Sequence, residues 1–285
     1  MKNGLSILRE VKIKKITLML LTYLIASPLL AQKSDCEIEN FSFKYNERID
    51  YTIYYHLAGI WVKAGEVYFK VDSAHFSQSD YYHFDSYGRT FSKYDWIYKV
   101  RDHYETYTRV KDFRPLRFKR EVNEGSTHIR EDYLFNHKDQ TVKTLRQLEE
   151  NGPFVKDTVP YEGCGFDVLS MIYYARNIDF SGVEIDQKIP IKMFLDNAMH
   201  ESYIRYLGKD ELKIKGLGKF KVIKFSPLLI EGTIFNAGEE MTVYVTDDEN
   251  RVPLLIETPI LVGSIRARVN SMKGLRHALE SKVSN

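Results

Sequence analysis

The sequence predicts a mainly β chain with one main helix. Three observations lead there. Aromatic residues make up 13% of the 285 residues, dominated by 20 Tyr and 16 Phe. Several segments alternate apolar and polar side chains with a period of two, whereas a single segment carries helical spacing. Tyr and Phe suit strands because their rings pack on a pleated, half-buried surface. At 44% hydrophobic and 28% charged, the chain can bury a sizeable core, which excludes collagen-like, mucin-like and wholly disordered classes.

The first segment reads as an address. Residues 1–31 place Lys2, Arg9, Lys12, Lys14 and Lys15 against one acid, Glu10, before an apolar run from Ile16 to Leu30 and a small residue, Ala31. That is the order of a secretory signal peptide, with cleavage expected after Ala31. The run is shorter than the ~20 residues that span a bilayer, which disfavours an uncleaved anchor. Lys33, Ser34 and Asp35 before Cys36 do not resemble a lipobox. Residues 1–31 carry five of the 41 basic and one of the 39 acidic residues, so the remainder has 36 and 38, a net charge of −2. The basic balance therefore belongs to the leader, and nothing in the charge argues for nucleic acid. No later apolar run reaches spanning length. Residues 32–40 are expected to be a flexible lead-in, and 41–285 a single β-rich domain without repeats or linkers.

Along that domain, Tyr51, Ile53, Tyr55 and Leu57 share one face of a strand, with Tyr54, His56 and Ala58 on the other. Two readings fit: a sheet covered on both sides, or an aromatic-lined groove. Val67, Phe69 and Val71 alternate with Tyr68, Lys70 and Asp72. Segments 129–135 and 141–145 flank Asn136-His137-Lys138-Asp139, a hairpin pattern. In 166–177, Leu169, Ile172, Tyr173 and Arg176 stand at i, i+3, i+4, i+7. Asp167 can cap this helix and Arg176 suits the negative end of its dipole. A lone apolar helix in such a chain is expected to cover one face of a curved sheet. Gly216-Leu217-Gly218 separates Leu212–Ile214 from Phe220–Ile223, a second hairpin. Met241–Thr246 and Ile265–Asn270 alternate again.

Signatures of chemistry are sparse. The eight histidines, among them His56, His83, His103, His128 and His200, are dispersed, and there is no Cys-x-x-Cys, so neither a metal site nor a cofactor is expected. There is no Gly-x-Ser-x-Gly elbow and no phosphate loop. Asp247-Asp248-Glu249 is the densest acidic cluster, but its spacing suits a turn better than calcium. Cys36 and Cys164 both follow the leader, and an oxidising compartment would permit them to pair.

Three motifs carry a family resemblance. Asp167-Val168-Leu169-Ser170-Met171-Ile172-Tyr173-Tyr174-Ala175-Arg176 resembles the "D-x-L-S-x-x-Y-x-x-R" helix of the domain-of-unknown-function 3108 family. Thr246-Asp247-Asp248-Glu249-Asn250-Arg251-Val252-Pro253 resembles its "S/T-D-D-x-x-R-x-P" turn. Glu47-Arg48-Ile49-Asp50-Tyr51 with Ala64-Gly65-Glu66 resembles its opening hairpin. The resemblance implies an exported bacterial protein of the periplasm or the periplasmic face of the outer membrane, built as a strongly curved antiparallel sheet or open half-barrel. It implies no reaction. It marks Asp167, Ser170, Arg176, Asp247, Asp248 and Arg251 as motif residues with structural roles.

Three functions remain in play. A non-enzymatic protein of the cell envelope would hold a lipid or other hydrophobic ligand in the concavity, with Tyr55, Trp61, Phe69, Trp96, Tyr98 and Tyr173 as candidate contacts. A structural or assembly scaffold would fill its own concavity and meet an envelope partner through exposed apolar surface. An envelope enzyme would bring Asp167, Arg176, Asp247 and Arg251 into one cleft.

Overall fold

The computed structural model describes residues 38–57, 59–230, 238, 240–260 and 263–283. The expected leader and Cys36 lie outside them. Strands β1 (Arg48–Leu57), β2 (Ile60–Phe76), β3 (Ser79–Thr90), β4 (Arg101–Arg109), β5 (Pro115–Glu124), β6 (Thr127–Asn136), β7 (Thr141–Gln147) and β8 (Val155–Pro160) form a continuous antiparallel meander. Helix α1 (Val168–Ala175) follows. A second meander comprises β9 (Lys188–Leu195), β10 (Ala198–Ile214), β11 (Gly218–Pro227), β12 (Thr242–Thr246), β13 (Pro253–Pro259) and β14 (Ser264–Lys273). It joins the first where β14 pairs with β1, and short β15 (Lys282–Val283) lies beside β11. The result is one sheet with β8 and β9 at its edges, not closed into a barrel. The β9–β10 turn nonetheless reaches the first meander through side chains: Asn197 donates to Asp157 on β8 at 2.9 Å and accepts from Thr144 on β7 at 2.7 Å.

The hairpins form where local chemistry allows a reversal. Ser77–Gln78 and Asp196–Asn197 each have both φ values positive, the two-residue turn whose twist matches paired strands. Gly274 is required for a different reason. A Cβ there would lie 2.3 Å from the Asn46 carbonyl oxygen, where the chain leaving β14 crosses the chain entering β1.

Alternating turns define two ends of the sheet. At the base lie the β2–β3, β4–β5, β6–β7, β10–β11 and β12–β13 turns, with residues 38–47 and 274–283. At the rim lie the β1–β2, β3–β4, β5–β6, β7–β8, β9–β10 and β13–β14 connections.

Helix α1 lies on the inner face of the first meander. Its Tyr173 ring stacks on Phe84 of β3, with centroids 3.8 Å apart and planes within 9°. Phe43, from the segment before β1, packs edge-on to both rings. Phe194 of β9 does the same to Tyr133 and Phe135 of β6. Each fully buried ring of this kind contributes roughly 1.5–3 kcal/mol through apolar burial. The helix differs from its expected face. Ser170 and Met171 are buried while Ile172 is exposed, because sheet, β9 and residues 38–47 enclose the helix on several sides. The expected flexible lead-in also ends earlier than residue 40. Asn40 is buried, and its amide donates to the Phe43 carbonyl at 2.9 Å and to the Tyr82 hydroxyl at 3.0 Å.

Candidate functional site

The three sequence motifs meet at the base. Arg176, the last residue of the helix motif, forms a two-pronged ion pair with Glu47, the first residue of the opening motif, at 2.5 and 3.0 Å. The same guanidinium donates to the Asn250 carbonyl of the turn motif at 2.9 Å. Both partners of the pair are buried. Burial alone would lower the Arg176 pKa, and the Glu47 carboxylate more than offsets it. Asn250 continues the network by donating to His277 and Ala278 carbonyls and accepting from the His277 amide at 2.9 Å. Asp248 accepts from Thr246 and from Ser281 at 2.8 and 2.6 Å. Charge placed at this depth must be paired and hydrogen-bonded, and here it is.

Asp167 and Ser170 form a reciprocal cap at the start of α1. The Asp167 carboxylate accepts from the Leu169 and Ser170 amides, while its own amide donates to the Ser170 hydroxyl. Thr106 of β4 adds a third donor at 2.7 Å, tying the helix to the sheet. Burial nevertheless holds the Asp167 pKa above the usual carboxylate range. Asp247 pairs instead with Lys209 at 2.8 Å, and Arg251 lies over the Phe180 ring at 5.7 Å. Its Nε and one terminal nitrogen are buried without a hydrogen-bond partner. Asp167, Arg176, Asp247 and Arg251 therefore do not share one cleft.

The six candidate ligand contacts are likewise dispersed. Tyr173 is only 2% exposed and sealed against Phe84, so no ligand reaches its ring. Phe69 packs partly buried against two clusters of the core, and Tyr55 is half-buried. Trp96 and Tyr98, 83% and 43% exposed, stand on the β3–β4 connection. Trp61 alone lines a groove of about 490 Å³, with Tyr54, Leu212, Tyr244, Arg266 and Arg268. Register places Tyr54, Tyr244, Leu255, Arg266 and Arg268 on the face opposite Val243, Ile256 and Ala267, which point into the core. The groove is thus outside the concavity. Its walls are cation–aromatic pairs: Arg266 lies 4.2 Å over Trp61, and Arg268 lies 4.7 Å over Tyr54. The aromatic-lined alternative for β1 is realised here, on the outer face. Bulges after Asp50 and Ile53 interrupt the simple alternation that sequence suggests.

A buried charge cluster near the rim was not anticipated. Glu131 accepts from Arg120 and Arg146, each at 2.5 Å, and Arg120 also bonds Asp196 in the β9–β10 turn. Beside it, Asp102 shares a hydrogen bond with Glu124. Burial first, and the neighbouring Glu124 carboxylate next, push the Asp102 pKa up to about 7. The signal was present in the alternation. Glu131 falls in phase with Ile129, Tyr133 and Phe135, the inward set of β6. Among the described residues, no group of three or more His, Cys, Asp or Glu is placed to hold a metal ion. Cys164 is disulfide-bonded.

Comparison with known proteins now bears on this geometry. The chain matches the family described as Protein of unknown function (DUF3108) over residues 50–270. It belongs to that family. The DUF3108 match begins within the opening strand, three residues after Glu47, and spans the helix motif and the turn motif. No curated protein matches the chain. Among solved structures, it is similar to a β-barrel-like protein of the domain-of-unknown-function 1849 group from Brucella abortus. The two share 8% identity with a TM-score of 0.53, over 81% of this chain and 99% of the other. That likeness concerns the fold alone. The DUF3108 chain shares its mostly β, barrel-like build, with the sheet open at β8 and β9.

Proposed function

We propose that this DUF3108 protein is an exported, non-enzymatic protein of the cell envelope that works through its outer surface, as a scaffold or docking component. The observation that carries this reading is the filled concavity. Helix α1, residues 38–45 and Phe194 occupy the inner face with the protein's own aromatic side chains. The polar motif residues support the same reading, because Asp167, Arg176 and Asp248 are committed to bonds that hold the fold together. A disulfide at Cys164 suits an oxidising compartment, as does the leader-like sequence of residues 1–31.

Native mass spectrometry of the protein, secreted to a bacterial periplasm and purified without detergent, tests this. The expected result is a clean protein mass, unchanged after incubation with an envelope lipid extract. A stoichiometric mass removable by organic solvent would overturn the reading and restore a ligand carrier.

A further inference from the structure

Several exposed apolar side chains stand close in sequence and strand order at one part of the rim. Ile60 and Trp61 open β2 beside the β1–β2 connection, and Trp96, Ile97 and Tyr98 lie on the β3–β4 connection. The two connections are neighbours: the Phe91 amide donates to the Ala64 carbonyl at 2.9 Å, and the Lys63 ammonium lies 5.3 Å over the Phe91 ring. We propose that this part of the rim docks on an anionic lipid surface, with Trp96 and Ile97 entering the headgroup region and Lys63, Lys93 and Lys99 facing the phosphates. The proposal rests on the reading of a protein that acts through its exterior, and it names the partner.

The apolar tip is built to stay outside. Ser92–Tyr94 form a single tight turn. The Tyr94 carbonyl accepts from the Ile97 and Tyr98 amides at 2.9 and 3.2 Å, and the Trp96 indole donates to the Lys93 carbonyl at 3.0 Å. These bonds hold Trp96 and Ile97 83% and 62% exposed rather than folded back on the sheet. Large exposed apolar residues clustered in this way mark an interaction surface.

Charge decides the kind of surface. Asp95 is the only acid in residues 91–100. Arg101 binds it at 2.6 and 3.1 Å, and the Thr90 hydroxyl donates to it at 2.7 Å. These contacts hold its carboxyl below the usual range and neutralise its charge locally. Lys63, Lys93 and Lys99 are exposed, and none has a carboxylate partner among the described residues. Of the neighbouring carboxylates, Glu124 beside Tyr98 is buried and Asp102 is half-buried, so the exposed charge on these two connections is basic, although the chain beyond residue 31 is slightly acidic. Trp and Tyr flanked by lysine is the chemistry of a membrane interface, where amphipathic rings sit among headgroups and cations meet anionic lipid. By contrast, the exposed Leu148 and Phe154 of the β7–β8 turn stand beside Glu149 and Glu150, which an anionic surface would repel.

Co-sedimentation with phosphatidylcholine vesicles, with and without phosphatidylglycerol, tests the proposal. Binding is expected only where phosphatidylglycerol is present, and it should weaken as salt screens the lysines. Trp96, one of the two tryptophans of the chain, lies on this surface, so tryptophan emission should shift to the blue on binding. Trp96→Ser with Ile97→Ser should weaken binding about tenfold or more, as expected for losing two buried apolar groups. Lys93→Glu with Lys99→Glu should abolish the preference for phosphatidylglycerol. No binding by folded protein, or binding unchanged in both variants, would overturn the docking. A clean native mass without vesicle binding removes only this inference. A retained, extractable lipid that persists in the Trp96→Ser, Ile97→Ser variant removes the parent reading instead.

Discussion

The base and the rim of the sheet solve opposite problems. At the base, the family motifs converge, Glu47 and Arg176 are buried as a pair, and residues 236 apart in the chain are tied together: Arg276 donates to the Asn40 carbonyl at 2.8 Å. At the rim, Trp96 and Ile97 are held away from the core by their own backbone. The contrast teaches that a motif recognisable in sequence is here a device for folding. The surface with no obvious partner within the chain lies at the other end, in residues that belong to none of the motifs.

The comparison breaks first at Arg176. If the base is structural, Arg176→Met should cost about 3–5 kcal/mol, because Glu47 would be left buried and unpaired. Urea unfolding reads this directly. A loss under about 1 kcal/mol would mean that the motif network is dispensable for stability and is kept for another reason.

A smaller effect is expected inside the rim, at Asp102. Its folded pKa of about 7 exceeds the ~3.9 of an unfolded aspartate. The folded state therefore holds the extra proton more tightly. The stability this contributes is fully present below about pH 4 and is lost as pH rises through about 7. His137, whose pKa burial lowers, works in the opposite sense, losing stability as pH falls. The variant isolates the carboxyl: in Asp102→Asn the fall in stability between about pH 4 and pH 7 should shrink by roughly 2 kcal/mol, a figure discounted for partial exposure. Parallel pH profiles for wild type and variant would remove the shared proton from the account.

Much of the base was legible in the sequence, and the reasons are local. Asp167 three residues before Ser170 is a cap signature that needs no tertiary information. The Asn136–Asp139 and Gly216–Gly218 turns punctuate clear alternation. What failed needed three dimensions. The pairing of Glu47 with Arg176 spans 129 residues, and no spacing rule links them. Tyr173 reads equally well as a ligand ring or a core ring until Phe84 is seen beneath it. Glu131 shows a third case: its in-phase position was visible, but its burial depended on Arg120 and Arg146 from neighbouring strands.

The smallest effect sharpens the comparison most. Trp96→Ser with Ile97→Ser should leave the stability within about 0.5 kcal/mol of wild type, since exposed side chains contribute little and the one bond lost is the exposed one from the Trp96 indole to the Lys93 carbonyl. The hydrogen bonds that shape this turn come mainly from backbone atoms and from Asp95 with Arg101, which the variant keeps. A clear destabilisation would mean that the two side chains pack against the fold, and the rim would then resemble the base. Unchanged stability would show that burying them against the rest of the chain is not what keeps an indole and a branched aliphatic side chain in water at the tip of a rigid turn, leaving contact with something outside the chain as the explanation.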